Sequence, residues 1–104
     1  MGSKLQPGKF DCYANALPDE PMFVLLARDP VAPALTRLWG AIRDGDRDIA
    51  FAAMTELQGL IPNYVAAPEP AKAEEALECA AAMRSWRIEN DGAWRQTQAE
   101  QVSA

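Results

Sequence analysis

Basic and aromatic side chains in the first half of this chain have the chemistry needed to hold a small anion. Arginine and lysine bind phosphate through charge-assisted hydrogen bonds, and aromatic rings stack on the faces of bases. The residues that we predict to bind a ligand are Lys9, Tyr13, Arg28, Arg37 and Trp39. Arg28 is expected between a strand and a helix N-terminus, where free amides and the helix dipole favour an anion. The pattern predicts an anion site centred on Arg28, unless Asp29 already occupies those amides as a helix cap.

A structural role for the same residues is the alternative. Arg28 then pairs with a neighbouring acid, which would be Asp19, Glu20 or Asp29, and Trp39 belongs to the core. Asp19 and Glu20 are also the best candidates for an acid/base pair, although adjacent residues in an extended segment point in opposite directions. The sequence leaves these alternatives open.

The lack of histidine removes much of catalytic chemistry from consideration. Without an imidazole the chain has no histidine-based nucleophile pair and no histidine metal ligand. Cys12 and Cys79 are far apart and lack the paired spacing of a zinc site or a disulfide framework. We therefore expect reduced thiols, a cytoplasmic location, no metal, no cofactor and a function other than catalysis.

Composition and charge narrow the range of partners. A chain of 104 residues with 49% hydrophobic residues predicts one small globular domain with a modest core, which self-association would stabilise. The strictly apolar run at residues 22–27 is six residues long and no other is longer, which is too short for a membrane helix or a secretory signal. The net charge of -5 lies entirely after residue 47, and no basic run matches the phosphates of a duplex. We expect neither membrane nor duplex nucleic acid as a partner.

The elements expected to position these residues begin with two short strands. Residues 9–13 alternate between polar and apolar side chains, which is typical of an edge strand. Residues 22–27 are apolar on both faces and too short for a typical helix, which favours a buried strand. Pro18 and Pro21 require an extended or turning backbone between the two segments.

The first predicted helix covers about residues 30–44. Asp29 followed by Pro30 is a strong helix start, and Gly45 is a typical residue just past a helix end. Trp39 lies beside an apolar stripe at helical spacing, which we predict to face the core. The members of that stripe are Val31, Leu35, Leu38 and Ile42.

Two further helices are predicted at about residues 47–59 and 71–90. Asp46 caps the first of them, and Pro70 marks the start of the second. Three prolines in residues 62–70 predict an extended connector between these helices. Two core stripes follow from the spacing, the first made of Ile49, Ala53, Leu57 and Leu60 and the second of Ala76, Cys79, Ala80, Met83 and Trp86.

The predicted fold class is therefore α+β. A short N-terminal β-hairpin, or two strands at about 9–13 and 22–27, precedes three helices in a single domain over residues 1–94. Residues 95–104 are polar and predict a flexible tail. Small residues at positions 79–82 would let another helix approach closely, either within the chain or between copies, so we expect a homo-oligomer.

Seven segments of this chain resemble a family of small uncharacterised proteins encoded by phages and prophages. The resemblance includes the pattern DEPxFVL-x-ARD-x2-APxL-x-R-x-W and covers about residues 9–90. The segments are 9–13, 19–25, 27–29, 32–35, 37–39, 73–80 and 83–86. The resemblance implies a context rather than an activity. Small phage accessory proteins often antagonise host defence, and some sequester cyclic nucleotide signals as helical oligomers.

Two hypotheses follow from the residues and the resemblance together. In the first, a non-catalytic oligomer in the bacterial host cell sequesters a cyclic nucleotide second messenger. Its phosphates would contact Lys9, Arg28 and Arg37, and its bases would stack on Tyr13, Trp39 or Trp86. In the second, an acidic protein-interaction module inhibits or adapts a host or phage protein through its second half.

Overall fold

The protein is helical in the part of the chain that a computed structural model describes, residues 2–9 and 12–90. Its four helices are α1 (Cys12–Asn15), α2 (Ala32–Asp44), α3 (Arg47–Val65) and α4 (Pro70–Glu89). The predicted α+β class is wrong, since these residues contain no strand. The chain forms two compact units, one of residues 24–73, called the hairpin unit, and one of residues 1–23 with 74–104, called the terminal unit.

Neither predicted strand is present. Residues 10 and 11 of the first lie outside the described residues, and its last two positions, 12 and 13, begin α1. Residues 22–26 have no regular secondary structure, and the Asp29 amide donates to the Leu26 carbonyl at 2.9 Å in the turn that follows them. A strand requires a neighbouring strand for its backbone hydrogen bonds, and the described residues offer none. Val24 and Leu26 are consequently about half exposed, and the prediction of a buried strand is wrong.

The turn predicted around Pro18 is confirmed. The Glu20 amide donates to the Leu17 carbonyl at 3.0 Å, and the Leu17 amide donates to Glu20 Oε1 at 3.0 Å. The two bonds close the same four residues from both directions, so they satisfy backbone groups that a loop would otherwise leave to water. The Glu20 carboxylate therefore has a structural role in this turn.

The start of α2 differs from the prediction by two residues. Asp29 Oδ1 accepts a hydrogen bond from the Val31 amide at 2.9 Å, which closes a short Asx turn before the helix. Val31 is the N-cap and makes no side-chain cap bond, and α2 begins at Ala32. Asp29 is not the helix cap, because its side chain is used by an amide that precedes the helix. Pro33 lies in the first turn, where the missing amide costs nothing.

The connection between α2 and α3 follows the sequence signals closely. Gly45 adopts a left-handed backbone with φ of 76°, and the Asp46 amide donates to the Ala41 carbonyl at 3.0 Å. This is a Schellman ending, in which glycine is favoured because other residues are strained at positive φ. Asp46 Oδ1 then accepts from the Ile49 amide at 3.0 Å, so Asp46 caps α3 as predicted.

α3 continues beyond the predicted end at residue 59. It runs to Val65 with Pro62 inside it, so the prediction of an extended connector from residue 62 is wrong for its first four residues. A proline in a helix removes one backbone bond and displaces the carbonyl four residues earlier, which belongs here to Gln58. Gln58 is exposed, so water can satisfy that carbonyl. In the continued helix Ile61, Tyr64 and Val65 line one groove with Val31 at the start of α2, although all three stay exposed.

The contact between α2 and α3 is made by small side chains. Ala34 and Ala41 of α2 and Ala53 of α3 are buried, and Leu38 is half-buried between the first two. The predicted α2 core stripe is wrong for Leu35 and Ile42, which are exposed. Its members Val31 and Leu38 are half-buried, and the buried line runs along Ala34, Leu38 and Ala41. Alanine at a helix contact allows a close approach, and a close approach leaves no room between the axes for larger side chains.

α4 matches its prediction in position and in most of its buried stripe. The helix begins at Pro70, and on one side Ala76, Cys79 and Met83 are half-buried while Trp86 is buried. Ala80, which was assigned to the same stripe, is exposed. None of the described helices has the length and apolar content needed to cross a membrane. The predicted tail at 95–104 and the end of the predicted domain at residue 94 lie outside the described residues.

Candidate functional site

The predicted ligand-binding residues are divided between the two units. Lys9 and Tyr13 belong to the terminal unit, and both are exposed. Arg28, Arg37 and Trp39 belong to the hairpin unit. Within the hairpin unit Arg28 lies in the turn before α2, where it is exposed and forms no salt bridge with any described residue.

Arg37 and Trp39 lie on different sides of α2. Two residues along a helix correspond to a rotation of about 200°, so these side chains do not converge on one ligand. An Arg37 nitrogen lies 3.7 Å from Glu56 Oε1 of α3, with both side chains half exposed. The guanidinium of Arg43 lies 5.9 Å from the Trp39 ring centroid. Sequestration of a cyclic nucleotide stays a prediction, which native mass spectrometry of the purified protein with candidate nucleotides would test.

An apolar groove lies where the start of α2 meets the end of α3. Its volume is about 230 Å³, enough for a large side chain, and it belongs entirely to the hairpin unit. The lining residues are Val31, Leu57, Leu60, Ile61, Tyr64 and Val65. The groove shows that Val31 of the α2 N-cap and Ile61 of α3 face the same side of the helix pair.

From the groove, a row of apolar residues continues along each of the two helices, and the two rows form one apolar surface. On α2, Leu35 and Ile42 follow Val31 at spacings of four and seven residues, which return to the same side of a helix. On α3, Met54 precedes Ile61 by seven residues. We call this surface the apolar face and define it by its exposed members, which are Leu35, Trp39, Ile42, Met54, Ile61, Tyr64 and Val65.

Carboxylates lie away from the apolar face. On α3, Glu56 precedes Ile61 by five residues and Asp48 precedes Met54 by six. Each carboxylate is therefore rotated by roughly 120–140° around the helix from the apolar residue that follows it. Asp44 follows Ile42 by two residues, a rotation of about 200°. The Arg37–Glu56 pair marks the other side of the hairpin. The hairpin unit therefore has a charged side and an apolar side without carboxylates, which the Arg43 guanidinium borders at Trp39.

A second, narrower apolar surface lies on α4 within the terminal unit. Leu77 is 71% exposed and Ile88 is 77% exposed, and Ala81 lies between them at helical spacing. We call these three residues the α4 stripe. Leu77 is two residues from the half-buried Cys79, so the stripe faces away from the buried side of the same helix.

Charged side chains border the α4 stripe unevenly. Glu74 and Glu78 are exposed along one edge of its first half, and Arg84 lies between Ala81 and Ile88 in its second half. Lys72 is paired with Glu69 at 2.9 Å, one turn before the stripe begins. The stripe can therefore offer a partner apolar contacts, an acidic edge and one basic position.

Comparison of the chain with protein-family models, with curated proteins and with solved structures found no match. Residues 2–9 and 12–90 contain no group of three or more His, Cys, Asp or Glu side chains able to hold a metal ion. The site assignments therefore rest on the geometry of the chain itself.

Sequence reasoning missed most of both surfaces. Because Pro62 predicts a helix end, the predicted helix stopped before Ile61, Tyr64 and Val65. Leu77 and Ile88 could have been found, because their spacing of eleven residues returns to one side of a confidently predicted helix. Trp39 was identified as a ligand contact, and the structure places it on the apolar face.

Proposed function

We propose that this protein is a non-catalytic interaction module that binds a basic segment of a partner protein through the α4 stripe. The observation that carries the proposal is the exposure of Leu77 and Ile88 on a helix whose other side is buried at Trp86. Two large aliphatic residues at helical spacing, edged by acids, favour an amphipathic helix as the binding partner.

The charges around the stripe define the chemistry of that partner. Lysine or arginine opposite Glu74 and Glu78 would be attracted to them, and an acidic or polar residue would suit the position opposite Arg84. Charges at the rim of an interface mainly raise the association rate and exclude wrong partners. A stripe on one helix offers a small contact area, which is typical of reversible binding rather than of a permanent complex.

The resemblance to phage-encoded proteins supplies the context for this proposal. In that context the partner is a host or phage protein that this chain inhibits or adapts. Binding alone would suffice for such a role, because covering a partner's functional surface blocks it without chemistry. The same surface would serve an adaptor, which needs only to retain its partner.

Site-specific photo-crosslinking tests the proposal in a bacterial cell that produces the full chain. A benzophenone amino acid at position 77 or 88 is expected to crosslink one and the same basic protein, identified by mass spectrometry. The matched control is the exposed Ala82, which lies about 120–140° around α4 from the stripe and should give little product.

A charge test refines the same experiment. Combining Glu74→Gln with Glu78→Gln should weaken binding, and so reduce the crosslinking yield below saturation, by roughly 2- to 30-fold, because two rim ion pairs contribute about 0.2–1 kcal/mol each. Equal crosslinking from all three positions would contradict the proposal. So would products that contain only a second copy of this chain.

A further inference from the structure

We propose that the apolar face of the hairpin unit is covered by a second copy of this chain, in a two-fold dimer whose contact is a four-helix arrangement. This inference concerns α2 and α3 and does not depend on the α4 stripe. It rests on the area of the face, on the composition of the buried contact beneath it, and on the way its two halves complement each other.

The area of the apolar face is that of a stable protein interface. Its seven exposed side chains are between 37% and 71% accessible. Each therefore leaves on the order of 100 Å² in water, which gives roughly 700 Å² for the face. The largest apolar patch of a typical monomer covers about 300–600 Å², and a standard interface buries about 800 Å² on each partner.

The buried contact beneath the face is too small to account for the stability of the hairpin alone. Among the described residues of the hairpin unit, the buried side chains are all alanines: Ala32, Ala34, Ala41 and Ala53. Burial of apolar area stabilises by about 25 cal/mol per Å², so these contribute far less than buried leucine or isoleucine would. The leucines of this contact, Leu38, Leu57 and Leu60, are only half-buried. Leu35, Ile42 and Ile61 are exposed on the apolar face, where a second copy would bury them.

The two halves of the face complement each other across a two-fold axis. The groove lies near Val31, and Ile42, 63% exposed, projects from the same side eleven residues later. At 1.5 Å per residue the two positions are about 16 Å apart along α2. A two-fold axis passing midway between them places Ile42 of each copy against the groove of the other, which satisfies the self-complementarity of an isologous contact.

Charge favours the same face for self-association. Two copies of a chain with net charge -5 repel each other wherever their acidic surfaces meet. The three acids of α2 and α3 are rotated away from the apolar face, so pairing through this face keeps Asp44, Asp48 and Glu56 at a distance from the contact.

Sedimentation equilibrium of the full chain tests the dimer. At ~50 µM, above the micromolar Kd of a weak standard-size interface, the wild-type protein should have twice the chain mass of 11.3 kDa. Ile42→Glu should raise the dimer Kd roughly 100-fold, because it places an unpaired charge in the contact. Leu77→Glu is the matched control, since Leu77 is equally exposed but lies on α4, and it should leave the dimer intact.

A mixing experiment separates loss of the contact from loss of folding. Ile42→Glu and Ile61→Lys copies should each be monomeric, with the helical circular dichroism of the wild type. The two-fold dimer contains the contact between Ile42 and the groove at Ile61 twice. Mixed one to one, the two variants should form a heterodimer, because one of these contacts then pairs the introduced glutamate with the introduced lysine. The second contact keeps the native Ile42 and Ile61. A monomeric wild type, a dimer that survives Ile42→Glu, or a mixture that stays monomeric would overturn the inference.

Discussion

The apolar face of the hairpin unit and the α4 stripe both expose aliphatic side chains, but they differ in width and in charge. The apolar face combines two helices, and the acids of those helices are turned away from it. The α4 stripe lies on one helix and is bordered by Glu74, Glu78 and Arg84. A broad, mainly apolar surface suits a lasting contact, whereas a narrow one bordered by charges suits selective and reversible binding.

The comparison shows how one small chain can combine self-association with partner recognition. Specificity at the α4 stripe comes from charges whose effect salt screens, with a Debye length of about 10 Å at 0.1 M. Contact at the apolar face depends on removing area from water, which salt does not screen. The two surfaces should therefore respond differently to substitutions and to ionic strength.

Ala53→Leu should give the largest effect and separate the two surfaces most clearly. Ala53 has no exposed area, and a larger side chain there would push α2 and α3 apart. We expect a loss of about 1–3 kcal/mol in unfolding free energy from overpacking, together with loss of the dimer. Denaturant unfolding with circular dichroism would measure the first and sedimentation the second.

The α4 stripe should be unaffected by Ala53→Leu, because one helix alone forms it. Crosslinking from position 77 should therefore persist in that variant. Ala52→Leu is the control, since Ala52 is the exposed neighbour of Ala53 and should change neither stability nor assembly by much. A stable dimeric Ala53→Leu protein would show that α2 and α3 do not meet closely at this position.

Gly45→Ala should have an intermediate effect, through the connection that aligns the two helices of the apolar face. No atom lies within 4 Å of a β-carbon added at Gly45, so the cost comes only from its φ of 76° and should be about 1–2 kcal/mol. Gly40→Ala is the control, because Gly40 is inside α2 with equally free space. That change should stabilise by about 0.5–1 kcal/mol. Melting temperatures that shift in the same direction for both variants would contradict this account.

The smallest effect should come from the ion pair on the charged side of the hairpin. Arg37 and Glu56 are half exposed, so a double-mutant cycle with alanine should give a coupling of about 0.2–1 kcal/mol. Neither substitution should change the dimer, because both residues lie off the apolar face. If Arg37→Ala dissociated the dimer, the contact between the two copies would include the charged side of α2, which would contradict the proposed contact through the apolar face.

The sequence predicted best where a signal acts on its own neighbours. Gly45 ended α2 and Asp46 capped α3 as expected, because both effects depend on backbone groups within a few residues. The start of α4 at Pro70 and most of its buried side were also predicted correctly. The end of α2 and the cap of α3 are complete within one turn of helix, so no distant contact reverses them, whereas the buried side of α4 was predicted from its apolar spacing.

The sequence misled where the outcome depends on distant groups. Residues 22–27 have strand composition, but a strand forms only if another strand pairs with it. Pro62 weakens a helix by removing one bond, and the apolar residues around it favour continuing the helix nevertheless. The ligand residues were chosen by type, and their division between two units could not be inferred from type.

By itself, the sequence determined three helices, the Asp46 cap of α3, the Gly45 end of α2, the excess of acid in the second half and the lack of imidazole chemistry. The tertiary structure alone decided which side of α2 is buried. Leu35 and Ile42 formed the expected core stripe of α2, yet α2 and α3 meet through Ala34, Ala41 and Ala53. Small side chains allow the closest approach of two helices, and that contact leaves Leu35 and Ile42 on the surface.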